Sequence, residues 1–219
     1  MTKKIKYLGL IPARGGSKRV PRKNIIPVNG KPLLFWSIDA AFKSKKIDNI
    51  IVSTEDSTIK HIAGLYGVNV INRPPELAND ITGLTGTIKH ALKTIPAENV
   101  VVLRPTSPIR IQNIIDVAIE EFEQTKADSL MTGFINKEYE WFTRPDAPSQ
   151  SLEGWFQGDG CVEIHKASVF ESDTSYGKNC NKCIIPELYN HEIDTEIDLI
   201  MVEALMKYLE IKDDKHERD

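Results

Sequence analysis

The chain has 219 residues, of which 41% are hydrophobic and 27% are charged, a balance that excludes a disordered tail or a fibre. Its 28 basic and 31 acidic side chains give a formal net charge of -3, which argues against nucleic-acid binding driven by overall electrostatics. Its longest apolar runs fall far short of the roughly 20 residues that cross a bilayer, and its start lacks an apolar stretch of signal-peptide length. We expect one cytoplasmic domain over residues 1–219, with neither a nucleic-acid nor a membrane partner.

Short apolar runs alternate with amphipathic stretches over the first 130 residues, a pattern typical of repeated βαβ units. The predicted strands are Ile5–Ile11, Asn49–Thr54, Asn69–Ile71 and Val100–Leu103. The predicted helices are Pro32–Lys43, Ser57–Tyr66 with Ser57 as its N-terminal cap, Thr85–Thr94 and Ile111–Gln124. This order predicts an α/β fold with three layers and a mostly parallel sheet.

The alternation weakens after residue 130. Strands are predicted at Ser129–Phe134, Gly160–Ile164 and Lys182–Pro186, and a terminal helix is predicted at Thr195–Tyr208. The apolar face of that helix is predicted to contain Ile197, Ile200, Met201, Ala204 and Leu205. Residues 135–158 have little periodicity and indicate an excursion from the sheet.

The chain has three cysteines, Cys161, Cys180 and Cys183. An odd number fits a reducing compartment better than a disulfide scaffold. Cys180 and Cys183 have a zinc-like spacing, but a structural zinc site uses four ligands, usually from two such pairs, and the sequence has no second pair. We interpret the three as ordinary thiols.

The most informative segment, Ile11–Asn24, directly follows the first predicted strand. In an open α/β sheet, ligands bind outside the carboxyl ends of the strands. Gly15 and Gly16 allow backbone amides to approach an anion, and five cations lie within ten positions. These cations are Arg14, Lys18, Arg19, Arg22 and Lys23. The segment predicts a polyphosphate site, although it matches neither a Walker A loop nor a Gly-x-Gly-x-x-Gly fingerprint.

Four stretches of the chain resemble the CMP-sugar synthetases, especially the acylneuraminate (sialic acid) cytidylyltransferases and their relatives that act on other nonulosonates. In the family's order they are Ala13–Lys18 with Lys23–Asn24, Arg73–Asp80, Arg104–Arg110 and Ile193–Asp198. The resemblance implies a Rossmann-like nucleotidyltransferase sheet and a homodimer. It also implies a magnesium-dependent reaction, in which the anomeric hydroxyl of an acidic 2-keto sugar attacks the α-phosphorus of CTP and releases pyrophosphate.

The resemblance also implies roles for individual residues. Arg14 and Lys23 would contact the phosphates as catalytic residues, because phosphoryl transfer requires positioning and neutralisation of charge. Asp194 would be the third catalytic residue and a magnesium ligand, with Glu192 as a second ligand. Nucleotide-binding roles are expected for Ala13, Gly15, Gly16, Ser17, Lys18, Asn24, Arg73, Asp80, Arg104 and Thr106.

The chain departs from the family pattern mainly on the acceptor side. Arg104 stands where glutamine is common, and Asp159–Glu163 stands where the family often has Asn-Gly-Ala-Ile-Tyr. Glu192 stands where an aspartate is usual. The arginine expected to bind the sugar carboxylate is missing. The candidate acceptor-binding residues are therefore Lys137, Arg144 and Asp159.

The irregular segment 135–158 contains an aromatic cluster, made of Tyr139, Trp141, Phe142, Trp155 and Phe156. In the family this region forms a small dimerisation excursion, and aromatic residues are enriched at interfaces. An intrachain satellite core is the alternative. Two other functions also stay open at this point: transfer to another acceptor, such as Kdo or a sugar phosphate, and a non-catalytic nucleotide-binding regulatory module.

Overall fold

The computed structural model describes residues 4–79, 83–138, 153–171 and 175–216, with side chains as far as residue 210. The strands are β1 Ile5–Pro12, β2 Pro27–Val28, β3 Lys31–Pro32, β4 Asn49–Thr54, β5 Asn69–Asn72, β6 Ala97–Val102, β7 Ser129–Asn136, β8 Trp155–Lys166 and β9 Cys180–Ile184. The α-helices are α1 Leu33–Lys43, α2 Ser57–Leu65, α3 Gly83–Thr94, α4 Ile114–Thr125 and α5 Glu196–His216.

Seven of these strands form one sheet in the order β5-β4-β1-β6-β8-β7-β9, while β2 and β3 pair separately. Only β8 in the seven-stranded sheet runs against its neighbours. The carboxyl ends of the other six strands therefore lie at one edge of the sheet. That edge collects the loops after β1, β5, β6 and β7, which contain most of the predicted site residues.

Strand β1 explains the three layers. Tyr7 and Ile11 pack in a cluster with α1, α2 and α4, whereas Leu8 and Leu10 pack in a second cluster with α3. This division follows from the alternation of side chains along a strand, because both faces of a central parallel strand are covered. The predicted three-layer, mostly parallel α/β fold is confirmed.

Helix α5 packs through a different face from the predicted one. Val202 and Met206 are buried in a third cluster with Leu33 and Ile193. The exposed residues include four members of the predicted apolar face, namely Ile197, Ile200, Met201 and Ala204. Because this helix is apolar on two sides, hydrophobic spacing alone does not identify the side that is buried.

The sequence does not predict the short strands β2 and β3, and the other differences lie at element boundaries. Helix α2 begins at Ser57 as predicted, but its cap is Asp56, whose Oδ1 accepts from the Thr58 and Ile59 amides at 2.8 and 2.9 Å. Helix α4 begins three residues later than predicted, after Asn113 with a φ of 63°. Strand β8 extends from Trp155, so the predicted excursion contains regular strand at both of its ends, while Tyr139, Trp141 and Phe142 lie outside the described residues. Among the described helices, none has the length and apolar character needed to cross a membrane.

Candidate active site

The loop after β1 lies against the neighbouring strand β4. The Ala13 amide donates to the Ser53 carbonyl at 3.0 Å. A Cβ atom on Gly15 would lie 2.5 Å from Asp56 Oδ2, and Asp56 is fixed in place as the cap of α2. A Cβ on Gly16 would meet no described atom within 4 Å. Packing therefore requires glycine at position 15, whereas Gly16 borders open space.

One backbone amide of this glycine loop donates a hydrogen bond to a carboxylate. The Gly15 amide donates to Glu55 Oε1 at 2.7 Å, and the Ser17 amide donates to the Gly15 carbonyl at 3.1 Å. Lys18 lies in the same loop and is exposed. The Gly15 amide therefore presents its N–H to an anionic oxygen, as a phosphate cradle would.

Asn24 supports the loop from within the protein. Its side chain is buried, and Nδ2 donates to the Arg14 carbonyl at 2.8 Å. Nη1 of Arg14 lies 3.5 Å from the carbonyl of Ala78, in the loop after β5. The contacts of Asn24 fix the backbone that carries Arg14, whereas the sequence predicts a nucleotide contact for it.

The ammonium group of Lys23 joins two motifs that are distant in sequence. Lys23 Nζ donates to the Ile193 carbonyl at 2.6 Å and to Asp194 Oδ1 at 3.0 Å. Arg19 Nη1 lies 3.1 Å from the other carboxylate oxygen of Asp194. The Lys23 side chain is only 10% exposed, whereas that of Asp194 is 40% exposed. The glycine loop and the late acidic motif therefore meet at one place, with a carboxylate open to solvent.

Arg73 lies at the base of the site and is buried. Its Nη2 donates to the Ser53 carbonyl at 2.5 Å, and its Nε donates to Ser53 Oγ at 3.2 Å. Burial lowers the pKa of Arg73, Arg14 lowers it further, and Glu55 opposes this shift. The Ser53 carbonyl accepts from both Arg73 and Ala13, so Arg73 braces the end of β4 that supports the glycine loop.

The turn after β6 holds the late acidic motif in place. The Ile193 amide donates to the Thr106 carbonyl at 2.8 Å. Ser107 Oγ donates to the Asp159 carbonyl at 2.8 Å and lies 3.3 Å from Glu192 Oε1. The turn therefore links β6, β8 and the segment that carries Asp194.

Arg104 contacts acidic residues from two other segments. Its Nη2 forms an ion pair with Glu163 Oε1 on β8, and its Nη1 lies 3.7 Å from Glu192 Oε1. A Cβ on Gly160 would lie 2.8 Å from Arg104 Cδ and 2.7 Å from Glu192 Oε1, and Gly160 has a φ of 65°. Glycine at position 160 therefore lets Arg104 lie close to β8.

Asp159 does not fit its predicted contact with the sugar. It is only 2% exposed, and its Oδ1 accepts from Thr132 Oγ1 at 2.6 Å and from the Cys161 amide at 2.8 Å. Burial raises the pKa of this carboxyl, against the hydrogen bonds that lower it. Asp159 is buried because its carboxylate bonds the bulged segment of β8, so it shapes the turn at Gly160.

The other acceptor-side predictions have different outcomes. Lys137 is exposed and follows β7 at the same sheet edge as the glycine loop, with two strands, β6 and β8, between β7 and β1. Arg144 lies outside the described residues, as does the predicted nucleotide residue Asp80. Contacts among the described residues bring together Lys23, Arg104, Glu192 and Asp194, whereas the Arg14 side chain lies near Ala78.

Asp198 lies in the first turn of α5 and forms a capping box with Thr195, the residue that precedes the helix. Its Oδ2 accepts from the amides of Asp194 and Thr195 at 2.9 and 2.7 Å, and the Asp198 amide donates to Thr195 Oγ1 at 3.3 Å. Burial raises the pKa of Asp198, but these hydrogen bonds lower it by more, so the pKa lies below its ordinary value. Asp198 thus fixes the backbone that presents Asp194.

Comparison with known proteins assigns the family. A sequence model of the family described as cytidylyltransferase matches residues 8–148, which include the glycine loop, the loop after β5 and the turn after β6. The chain belongs to the cytidylyltransferase family. It is accordingly a nucleotidyltransferase enzyme.

Individual relatives align with nearly the whole of this chain, beyond the residues that the family model matches. Pseudaminic acid cytidylyltransferase of Campylobacter jejuni strain 81-176 is 37% identical over 93% of this chain and 97% of its own length. CMP-N,N'-diacetyllegionaminic acid synthase of Legionella pneumophila is 29% identical over the same shares. A solved CMP:2-keto-3-deoxy-manno-octonic acid synthetase complexed with CTP superposes with a TM-score of 0.71, covering 93% of this chain and 99% of its own, at 16% identity. That last likeness supports the fold.

The acidic pair of this cytidylyltransferase has the chemistry of a partial magnesium site. Asp194 and Glu192 offer carboxylate oxygens, the ligands that Mg2+ prefers, and both side chains are more than one third exposed. Burial raises the pKa of Glu192, as does the nearby Asp194. The described residues contain no cluster of three metal-ligating side chains. The two carboxylates therefore fit Mg2+ only if phosphate oxygens and water complete its coordination.

A cavity of about 730 Å³ lies away from this site, between α1, residues 108–116 and α5. Trp36, Asp39 and Met206 contribute to its wall, and none of the predicted site residues lines it. We therefore assign the active site to the loops at the sheet edge.

No motif or spacing in the sequence predicts the contacts of two residues in the site region, Glu55 and Glu163. Glu55 follows β4 as one of two adjacent acidic residues, and Glu163 lies inside a strand. Their contacts with the Gly15 amide and Arg104 depend on strand order, which places β4 and β8 on opposite sides of the β1–β6 pair.

Replacing Asp198 with asparagine should lower the free energy of unfolding by about 1 kcal/mol at pH 7, because the charged half of the capping box is lost. The folded-state pKa is depressed, so this contribution is present above the unfolded pKa and disappears as pH falls through the lower folded value. Urea unfolding at pH 7 and pH 3 measures it. Asp39→Asn, at an i,i+4 pair with the exposed Lys43, is the control and should cost less than about 0.5 kcal/mol. A pH-independent loss in Asp198→Asn would contradict the capping role.

Proposed function

We propose that this cytidylyltransferase transfers CMP from CTP to the anomeric hydroxyl of an acidic 2-keto sugar, an N-acylneuraminate or a related nonulosonate, and releases pyrophosphate. The names of the relatives that match nearly the whole chain support this acceptor class. The observation that carries the proposal is the contact of Lys23 Nζ with Asp194 Oδ1 at 3.0 Å, because it joins a phosphate-type loop to an exposed carboxylate.

The chemistry requires positioning and charge neutralisation. The sugar hydroxyl oxygen forms a bond to the α-phosphorus of CTP, the bond from that phosphorus to the bridging oxygen breaks, and pyrophosphate leaves. The hydroxyl proton passes to solvent. Arg14 and Lys23 would stabilise the charge that develops on the leaving pyrophosphate, and the amides from Gly15 to Ser17 would bind its oxygens. Glu55 would leave the Gly15 amide when phosphate binds.

Asp194, with Glu192 as a second ligand, is the proposed site for Mg2+. When bound, the ion would supply positive charge to the triphosphate oxygens. Lys23 and Arg19 now hold the two oxygens of Asp194. The same two cations would therefore remain beside the triphosphate and limit repulsion between it and the carboxylate.

Purified protein with CTP and Mg2+ should release pyrophosphate only when a nonulosonate is added. Pseudaminic, N-acetylneuraminic and N,N'-diacetyllegionaminic acids form the acceptor series. Kdo, glucose 1-phosphate and a reaction without acceptor are the controls. EDTA should abolish release, because the triphosphate then lacks its counter-ion.

Release with glucose 1-phosphate or Kdo, and with none of the three nonulosonates, would assign a different acceptor. CTP binding measured by calorimetry without turnover on any acceptor would instead indicate a binding module. Each result contradicts the proposal in a different way.

Arg14→Ala and Lys23→Ala should each lower kcat/KM by roughly a hundredfold, because each removes positive charge from the leaving group. Steady-state pyrophosphate release measures this effect, and thermal unfolding checks that the variants fold. Lys45→Ala, which removes a charge from the loop after α1, is the matched control and should keep wild-type rates. Wild-type rates in both site variants would rule out their assigned roles.

We also propose a homodimer formed through the region around residues 135–158, as part of one domain spanning residues 1–219. Ile135 and Ile184 support this interface, because they are large apolar residues on the same face of the adjacent strands β7 and β9 and are 38% and 55% exposed. A cytoplasmic location is proposed as well, since the three cysteines are free thiols. This location stays a prediction.

Sedimentation should give a particle of twice the 24.7 kDa chain mass. Ile135→Lys and Ile184→Lys should shift it toward monomer, because a buried lysine at an apolar interface loses its hydration. Leu65→Lys, at an exposed apolar residue of α2, is the control and should stay dimeric. A monomeric wild-type chain at assay concentration would contradict the proposed interface.

A further inference from the structure

A buried carboxylate holds Arg104 in place. Glu163 lies on β8, where it pairs with Val102 on β6 and with Met131 on β7, and it is only 1% exposed. Its Oε1 forms the ion pair with Nη2 of Arg104. A carboxylate so far from water requires a paired charge, so Glu163 and Arg104 constrain each other.

The other oxygen of Glu163 faces a buried histidine. Nε2 of His165 lies 3.6 Å from Glu163 Oε2, and Nδ1 of His165 lies 2.8 Å from Ser129 Oγ. His165 and Ser129 are both buried, so packing surrounds the carboxylate. The ion pair with this buried carboxylate restricts the Arg104 side chain, although 36% of that side chain is exposed.

Strand order indicates which substrate Arg104 faces. The glycine loop and the loop containing Ala78 follow β1 and β5, which lie on one side of β6. The Arg104 guanidinium is directed to the other side of β6, toward Glu163 and Gly160 on β8. Arg104 thus lies on the β8 side of Glu192, the second proposed Mg2+ ligand, and across the sheet edge from the glycine loop. An acceptor that attacks the α-phosphorus from the side opposite the glycine loop would meet Arg104.

The local charges select the kind of group that Arg104 binds. Glu163 neutralises its charge, and Glu192 Oε1 lies a further 3.7 Å from Nη1. An anionic group arriving at Arg104 would meet both carboxylates. A neutral oxygen, either a hydroxyl or the carbonyl of an acylamido group, would accept an N–H from the exposed guanidinium without that repulsion.

We propose that Arg104 is a specificity-determining residue that donates to a neutral oxygen substituent of the acceptor sugar, and that Glu163 is the positioning residue that orients it. This inference rests on the proposed function. It assigns Arg104 to the acceptor, whereas the sequence predicts a nucleotide contact, and it places the sugar carboxylate elsewhere.

The test compares Arg104→Gln, Glu163→Gln and the double variant. The acceptor is whichever of pseudaminic, N-acetylneuraminic and N,N'-diacetyllegionaminic acids the wild-type enzyme converts fastest. Each single variant should raise KM for the acceptor by roughly tenfold, because one neutral hydrogen bond is lost or misaligned. KM for CTP should stay within about twofold of wild type. The double variant should match Arg104→Gln, because Glu163 acts only through Arg104.

The salt dependence of KM for the acceptor shows whether Arg104 binds a neutral group or the carboxylate of the sugar. KM for the acceptor, measured at about 0.05 and 0.5 M NaCl, should change by the same factor in wild type and Arg104→Gln, because the Arg104–Glu163 pair has no net charge. A weaker salt dependence in Arg104→Gln would mean that Arg104 binds the carboxylate, and it would overturn the proposal. Additive effects in the double variant, or a raised KM for CTP, would overturn it as well.

Two further readouts keep the test decisive. The Nε–H NMR signal of Arg104, assigned by its loss in Arg104→Gln, should broaden in Glu163→Gln, and an unchanged signal would refute the positioning role without any substrate. If Arg104→Gln, which leaves the buried Glu163 carboxylate unpaired, does not fold, the double variant, which leaves no unpaired buried charge, is compared with Glu163→Gln alone. Absence of turnover with every nonulosonate would contradict the proposed function, while the NMR result would still test Glu163.

Discussion

The contact between Lys23 and the segment Ile193–Asp194 is the interaction on which the site depends. A nearly buried ammonium group requires polar partners, and Lys23 has them in a backbone carbonyl and a carboxylate oxygen. Both partners come from the far end of the chain, just before α5. The contact therefore fixes the acidic motif beside the glycine loop, together with the ion pair between Arg19 and Asp194. The same group that would neutralise a phosphate thus also maintains the geometry of the site.

The residues of the site divide into those that meet solvent and those that support them. Arg73 and Asn24 are buried, and their side chains bind the backbone at Ser53 and Arg14. Asp159 is also buried and shapes the turn next to Arg104, although its Oδ2 has no hydrogen-bond partner among the described residues and burial raises its pKa. Side chains bonded to the backbone like those of Arg73 and Asn24 cost little to bury, and they remove freedom from the loop above them. Such a loop loses less conformational entropy when a ligand binds, which is the advantage of preorganisation.

The sequence predicts the order of the elements and the position of the main motifs, because both depend on local pattern. Strand β4 is predicted with its bounds unchanged, and the glycine loop lies after β1 as expected. The burial of Asp159 is not predictable in this way, since it depends on Thr132 from another strand. The buried face of α5 is also missed, because both sides of the helix are apolar and only the tertiary contacts distinguish them. The roles of Arg14, Lys23 and Asp194 in catalysis stay predictions.

Arg104 and Glu163 connect the unusual features of the acceptor side. Both occupy positions where the chain departs from the pattern that it resembles, a common glutamine at one and a tyrosine at the other, and the structure puts them in contact. Glu163 without Arg104 would leave an unpaired charge at a position with little access to water, which is strongly destabilising. Together they form a neutral pair that places a guanidinium donor at the sheet edge. The two departures are therefore physically coupled, and their location beside β8 agrees with the proposed role of Arg104 toward the acceptor.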